Sequence, residues 1–318
     1  MTQQNQPTTS DADFIAMFER EGPALMSRQL GVALSNIYSR RRNLEAKLKR
    51  QITGPNKIRT TRNNIEHPHR FELSIKDGFI IIGSDAHYWP NRITTAHRAL
   101  VHLAKELQPK AIVMNGDVLD GASISRHPPI GWEERPALID ELQACQDRLS
   151  EIERAAPNAK KIWTLGNHDG RFETRLATVA PEYAKVNGVH LKDHFPYWHP
   201  CWSAWINDEI VVKHRYKNGT HATHNATVNS GKTIVTGHLH SLKVTPFTDY
   251  NGTRWGVDTG TLAEPDGPQF IDYCEDNPTN WRSGFVVLTF HKGKLLWPDV
   301  VHVTSETEVT FQGRVIKV

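Results

Sequence analysis

With 318 residues, 38% of them hydrophobic, the chain is long enough for a large folded core and a small appendage. It contains no unbroken apolar run of membrane-spanning length, and its first residues lack the apolar stretch of a signal peptide; Cys145, Cys201 and Cys274 show no paired spacing, so a reducing cytoplasm is the expected setting. The net charge of +3 conceals an asymmetry, because residues 1–70 carry twelve Lys and Arg against six Asp and Glu, while the remainder carries 26 against 29.

The first ten residues, rich in Gln, Thr and Pro, are expected to be disordered. Residues 23–31 and 32–44 then read as two helices about a turn at Gly31, with Leu25 and Leu30 packing the first and Val32, Ile37 and Leu44 seating the second. The outer face of the second helix would show Ser35, Asn36, Tyr38, Ser39, Arg41 and Arg42, residue types suited to phosphate contacts and base-edge hydrogen bonds. Residues 1–50 resemble the small helix-turn-helix modules of bacteria and phages, which implies DNA as a partner and a bacterial cell or phage-infected host as the setting. Two amphipathic helices that simply pack together are the competing reading. Residues 51–75, with Gly54-Pro55, His67-Pro68-His69 and the cations Lys57, Arg59 and Arg62, read as a basic linker.

From residue 76 onward, five short β-branched runs read as buried strands: 79–82, 111–114, 162–165, 210–212 and 233–235. Each ends in polar residues of metal-ligating type, in order Asp85-Ala-His87, Gly116-Asp117, Gly166-Asn167-His168-Asp169, His214 and Gly237-His238-Leu-His240. Residues 94–107 and 137–152 have helical apolar spacing and supply crossovers for parallel strands, Pro157 stopping the second. In open α/β sheets, ligands bind beyond the carboxyl ends of the strands, where all five motifs fall. Glycines 83, 116, 166 and 237 suit turns in which a side chain would obstruct close backbone approach. Imidazole and carboxylate donors without thiolates favour a borderline divalent metal over calcium or magnesium. A metal pair roughly 3.5–4 Å apart lowers the pKa of a shared water and clamps the oxygens of an in-line displacement at phosphorus, which points to a phosphate ester substrate.

In order and composition this set resembles the calcineurin-like metallophosphoesterases. The resemblance spans roughly residues 79–240 and implies an α/β fold, a four-layer αββα sandwich over residues 76–318 preceded by the small all-α helix-turn-helix-like domain. It implies two divalent metals, with Mn the expected choice and Fe, Ni or Zn alternatives. Asp85, His87 and His240 would hold the first metal, Asn167, His214 and His238 the second, and Asp117 would bridge them. His168 would protonate the leaving group or stabilise phosphoryl charge, and Asp169 would orient its imidazole. Arg215 departs from the family, where glycine commonly follows the fourth-motif histidine; it is a candidate phosphate contact. His127 is a candidate for lining the cleft, and Asp120 for supporting the metal loop.

The remaining histidines at 190, 194, 199, 221 and 224 read as structural. The aromatic stretch 195–205, with Tyr197, Trp198, Trp202 and Trp205, reads as a satellite core, base stacking being the alternative. Residues 244–260 and 283–303, with turns at Asn251-Gly252 and Lys292-Gly293, read as hairpins that complete the second sheet. The reading is a metal-dependent phosphodiesterase acting on nucleic acid or a nucleotide through a metal-bridging hydroxide. A phosphomonoesterase acting on protein or nucleic-acid ends, and a non-catalytic DNA-binding or assembly protein on a vestigial fold, stay open.

Overall fold

The computed structural model describes residues 9–52, 54, 69–129, 131–133 and 135–318. Lys57, Arg59 and Arg62 of the expected linker, and residues 1–8 of the expected disordered start, lie outside the described residues. The chain divides into two compact units, Met1–Glu66 and His67–Val318.

Among its described residues the first unit holds three helices: α1 (Asp11–Glu21), α2 (Pro23–Leu30) and α3 (Leu34–Leu48). Helix α1 was not read from the sequence, although its start signal is present. Ser10 caps it by accepting the Asp13 amide, and Asp11 and Asp13 sit in its first turn. Gly22 ends it, Pro23 opens α2, and Gly31 at φ 66° makes the left-handed turn toward α3. Phe14, Phe18, Met26, Ile37, Leu44 and Ile52 form the core of this unit. The expectation for Leu25 is corrected: it is 49% exposed, and Met26, one residue on, is the buried one. The packing surface comes from α1, whose Phe14 and Phe18 lie one helical turn apart on the same face.

The second unit runs β1 (Arg70–Leu73), β2 (Gly78–Gly83), α4 (Thr95–Leu107), β3 (Ala111–Met114), α5 (Leu138–Ala155), β4 (Lys160–Thr164), α6 (Asp169–Val179), β5 (His199–Cys201), β6 (Ser203–Ile206), β7 (Ile210–Val212), α7 (Ala222–Ser230) and β8 (Thr233–Thr236). There follow β9 (Lys243–Asp249), β10 (Gly252–Asp258), α8 (Ile271–Cys274), β11 (Gly284–His291), β12 (Lys294–Leu295), β13 (Asp299–Ser305), β14 (Glu308–Phe311) and β15 (Arg314–Lys317). The expected linker extends too far, since β1 pairs in parallel with β6 and so belongs to a sheet of the second unit.

Two sheets stack. The six-stranded one has the order β1-β6-β7-β8-β10-β9, and the nine-stranded one β15-β14-β13-β11-β2-β3-β4-β5 with β12 beside β11. Side-chain alternation divides the layers. Ile80 and Ile82 of β2, with Val113 of β3, face a core shared with Val212, Val235 and Val257 of the other sheet. Ile81 and Ile112 face the opposite way, into a core with Leu100 and Leu103 of α4 and Leu142 and Leu149 of α5. Outside the six-stranded sheet, Ala226 of α7 packs on Val211 and Ile234. The layers are therefore helices, sheet, sheet and helix. Among the described residues no helix is long and apolar enough to cross a membrane.

Candidate metal centre

Every expected ligand lies in a loop leaving the carboxyl end of a strand: Asp85 and His87 after β2, Asp117 after β3, Asn167 after β4, His214 after β7, and His238 and His240 after β8. Stacking the two sheets brings these five loops together. Among the described residues, the ligand-type atoms of Asp85, His87 and His240 converge within 4.8 Å of one another, as do those of Asp117, His214 and His238. His214 Nε2 lies 3.0 Å from Asp117 Oδ2 and 3.9 Å from Asp85 Oδ1, so the two groups adjoin. A third convergence, of His87, Asp120 and His168, flanks the first.

Backbone conformation carries part of this convergence. Asp85, His87, Asp117, His238 and His240 all take positive φ, between 39° and 73°. Non-glycine residues in this region cost on the order of 1 kcal/mol or more each and persist only where surrounding structure imposes them. The imposition is visible at the glycines. A Cβ on Gly166 would lie 2.1 Å from Asp117 Oδ1, and one on Gly116 would lie 2.4 Å from His214 Nδ1. Only glycine lets these loops close on the ligands.

Hydrogen bonds set the orientation of the His214, His87 and His240 rings. His214 Nδ1 faces the Asn115 carbonyl oxygen at 2.8 Å, which places its proton there and leaves Nε2 free to ligate. His87 Nδ1 lies 2.8 Å from Asp120 Oδ1. Asp85 accepts the His238 amide at 2.9 Å and meets His240 Nε2 at 3.1 Å. Burial works to raise the Asp85 carboxyl, yet His240 and His214 outweigh it and bring it down to about 2. Burial likewise opposes ionisation of Asp117, and the His214 imidazole holds it well below the usual carboxylate range. Burial also disfavours a charged His214, but Asp117 and Asp85 push it up to about 10.

The residues fit a pair of divalent ions. Among the described residues, Asn167 Oδ1, His214 Nε2 and His240 Nδ1 are buried polar atoms with no hydrogen-bond partner. Buried polar atoms left unpaired are costly, and His214 Nε2 faces the Asp117 and Asp85 carboxylates at 3.0 and 3.9 Å. A cation held there satisfies the ring nitrogen and both carboxylates.

The role expected for Asp169 is corrected. Its carboxylate does not meet His168; it accepts the amides of Asp117, Val118, Leu119 and Gly166 and the Trp163 indole N–H, all between 2.8 and 3.2 Å. Asp169 therefore ties the β3 and β4 loops together. The partner of His168 is Asp120, whose Oδ1 and carbonyl oxygen both lie 3.0 Å from Nδ1. Arg171, unread in the sequence, places a guanidinium nitrogen 3.1 Å from His168 Nε2 and donates to the Asp120 carbonyl at 2.9 Å. The signal was the i, i+3 spacing of His168 and Arg171 across the start of α6. Burial lowers His168, and Asp120 with Asp117 more than offsets it, so the imidazole sits above its ordinary value.

Two clefts open from the centre, of about 570 and 680 Å³, and both are lined by His127, Asn167 and Arg171. His127 thus lies where the sequence suggested, and Arg215 lines the larger cleft. The smaller has an aromatic wall missed in the sequence. Trp281 packs 4.5 Å from the His240 ring and stacks with Tyr273 at 6.3 Å, and Phe270 lies 5.1 Å from His87. The 195–205 stretch divides instead: Trp198 is buried and donates to Glu153, whereas Tyr197 and Trp202 are exposed.

In the first unit, Ser35, Asn36, Tyr38, Ser39 and Arg42 are exposed on α3. Arg41 is half-buried, lying over the Phe18 and Tyr38 rings and 3.5 Å from Glu45, so its charge is largely occupied.

The profile of the family described as calcineurin-like phosphoesterase matches residues 80–242. Similar solved structures include Vps29 from Chaetomium thermophilum, with 10% identity over 76% of this chain and 98% of that one and a TM-score of 0.41. A protein serine/threonine phosphatase from Saccharomyces cerevisiae shares 12% identity over 78% of this chain and 88% of its own, with a TM-score of 0.37. A dimetal phosphatase from Danio rerio shares 10% identity over 76% and 99%, also with a TM-score of 0.37. A search of the curated proteins finds no match.

Proposed function

Since this chain belongs to the calcineurin-like phosphoesterase family, we propose that it is a two-metal phosphodiesterase that hydrolyses nucleic acid or nucleotides. The observation that carries the diester reading is the pair of clefts meeting at Asn167, His127 and Arg171. A phosphodiester has a substituent on each side of phosphorus and needs room in both directions; a monoester needs it in one.

Asp85, His87 and His240 would hold one metal, Asn167, His214 and His238 the other, and Asp117 would lie between. When bound, divalent ions of the Mn type supply an activated water and neutralise charge on the phosphoryl oxygens. The protein's own residues do the rest. Asp120 fixes the His168 ring through Nδ1; burial opposes charge on that ring, but Asp120 and Asp117 outweigh it and favour the protonated form. In this arrangement the Arg171 guanidinium donates to His168 Nε2; on substrate binding Arg171 would turn to the phosphoryl oxygens, where it offsets negative charge, and free Nε2 to carry a proton to the departing oxygen. The N-terminal helical unit, with Ser35, Asn36, Tyr38, Ser39 and Arg42 exposed on one helix, serves as a DNA-targeting module.

The test is the initial rate of Mn-loaded protein on a chromogenic phosphodiester and on its matching monoester, with His168→Ala as the control. A diester preference that disappears in the variant while metal content persists is expected. Monoester preference would make the protein a phosphatase instead.

A further inference from the structure

The larger cleft gathers charge of one sign. It is lined by Arg126, Arg175, Lys213 and Arg215, and no carboxylate lines it among the described residues. None of these four cations makes an ion pair among the described residues. Several arginines elsewhere on this unit are paired: Arg92 meets Glu264, Arg148 meets Glu151, Arg254 meets Asp249 and Arg314 meets Glu106, at 2.6 to 3.5 Å. A set of unneutralised cations gathered in one concave surface repels itself, and a polyanion in the groove relieves that repulsion.

Position gives the groove its meaning. Asn167 and His214, two of the residues assigned to the metals, line the same cleft, so the cations share one concave surface with the metal centre. Trp202, 51% exposed, stands in the same wall. An exposed indole beside a row of cations offers a stacking face to a base whose phosphates the cations hold. The aromatic wall of the smaller cleft, with Tyr273 80% exposed, offers a second such face on the other side of the centre.

We infer that the groove of Arg126, Arg175, Lys213 and Arg215 is the track for a polynucleotide strand beyond the cleaved phosphate, with an unpaired base on Trp202. The substrate is accordingly a single-stranded polynucleotide several residues long. This rests on the phosphodiesterase reading for the cleavage step alone; strand binding is a separate property of the groove.

The experiment compares kcat/KM of the full-length, Mn-loaded protein for a single-stranded oligonucleotide with that for a small aryl phosphodiester, in wild type, Arg126→Glu/Arg175→Glu and Trp202→Ala. DNA and RNA strands form separate arms. The expected result is a fall of about tenfold or more in the strand-to-aryl ratio for the charge variant, carried by KM. The dependence of log KM on log salt concentration should flatten by about 1.4, as for two lost phosphate contacts on a single strand. A smaller KM effect is expected for Trp202→Ala. An unchanged ratio and salt slope would overturn the inference, as would an equal dependence on the groove for a phosphoserine-rich peptide. Wild-type protein inactive on both substrates would instead refute the phosphodiesterase reading. Fluorescence anisotropy of the labelled strand on metal-free protein then decides the groove by itself, loss of binding in the charge variant sustaining it and unchanged binding overturning it.

Discussion

Asp120 and Asp169 differ in role although both are buried acids within reach of the same loops. Asp169 receives five N–H donors and joins two loops. Asp169→Asn must turn an amide N–H toward that set of donors, so it should destabilise the fold by roughly 3 kcal/mol, read from denaturant unfolding of the apoprotein. Asp120→Asn should leave most of the stability and change the pH profile instead. The Asp120 anion favours the His168 imidazolium, so its neutralisation should move the alkaline limit of kcat to lower pH; an unmoved limit would disprove the pairing. Neither assignment was open to sequence reasoning. Gly-Asn-His-Asp places Asp169 beside His168 along the chain, but at the start of α6 adjacent side chains point in different directions. Only the fold of the β3 loop brings Asp120, 48 residues away, to the ring.

At the level of elements, the turns are as exacting as the ligands. Gly166→Ala alters no metal ligand, yet its Cβ would enter the space of the Asp117 carboxylate. The expected outcome is a loss of activity of about a hundredfold with metal content reduced, measured by elemental analysis after gel filtration. The N-terminal unit offers a parallel test. Met26→Ala should cost about 2–5 kcal/mol of that unit's stability, and Leu25→Ala a fraction of it, as read by circular dichroism on the full chain. The sequence pattern pointed to Leu25 because two helices alone give no way to tell which flank is covered. The third helix, α1, covers the Met26 side. Strands were more legible: residues 111–114 and 210–212 were read with the bounds observed, because buried parallel strands are nearly uninterrupted apolar runs. β1, β5 and β6 were missed, being short and broken by Arg70, Glu72, Pro200 and Ser203.

For the whole molecule, metal binding and folding are linked. In the metal-free protein the His214 imidazole is held up at about 10 by Asp117 and Asp85, so it is charged at neutral pH. Its raised value adds stability that is complete below about 6.5 and disappears as pH rises through about 10. A metal must displace that proton. Uptake near pH 7 should therefore release a proton from His214, and affinity should rise about tenfold per pH unit until it levels off near pH 10. Calorimetric titration in buffers of different ionisation enthalpy measures the release. Mn in large excess over its Kd should also raise Tm by roughly 10 °C, since binding adds about 4 kcal/mol at a thousandfold excess. An unchanged Tm would count against a metal centre.

The sequence by itself determined the α/β class, the five strands that bear the candidate ligands and the seven candidate ligands, because each is a local pattern of a short apolar run followed by a donor, while the layered sandwich was implied by the family resemblance. Tertiary structure alone decided which donors share a metal-sized space, which acid holds His168, and where the aromatic and cationic walls stand. Those relations join loops from two sheets, and the distances across them follow from how the sheets stack, which no spacing along the chain encodes.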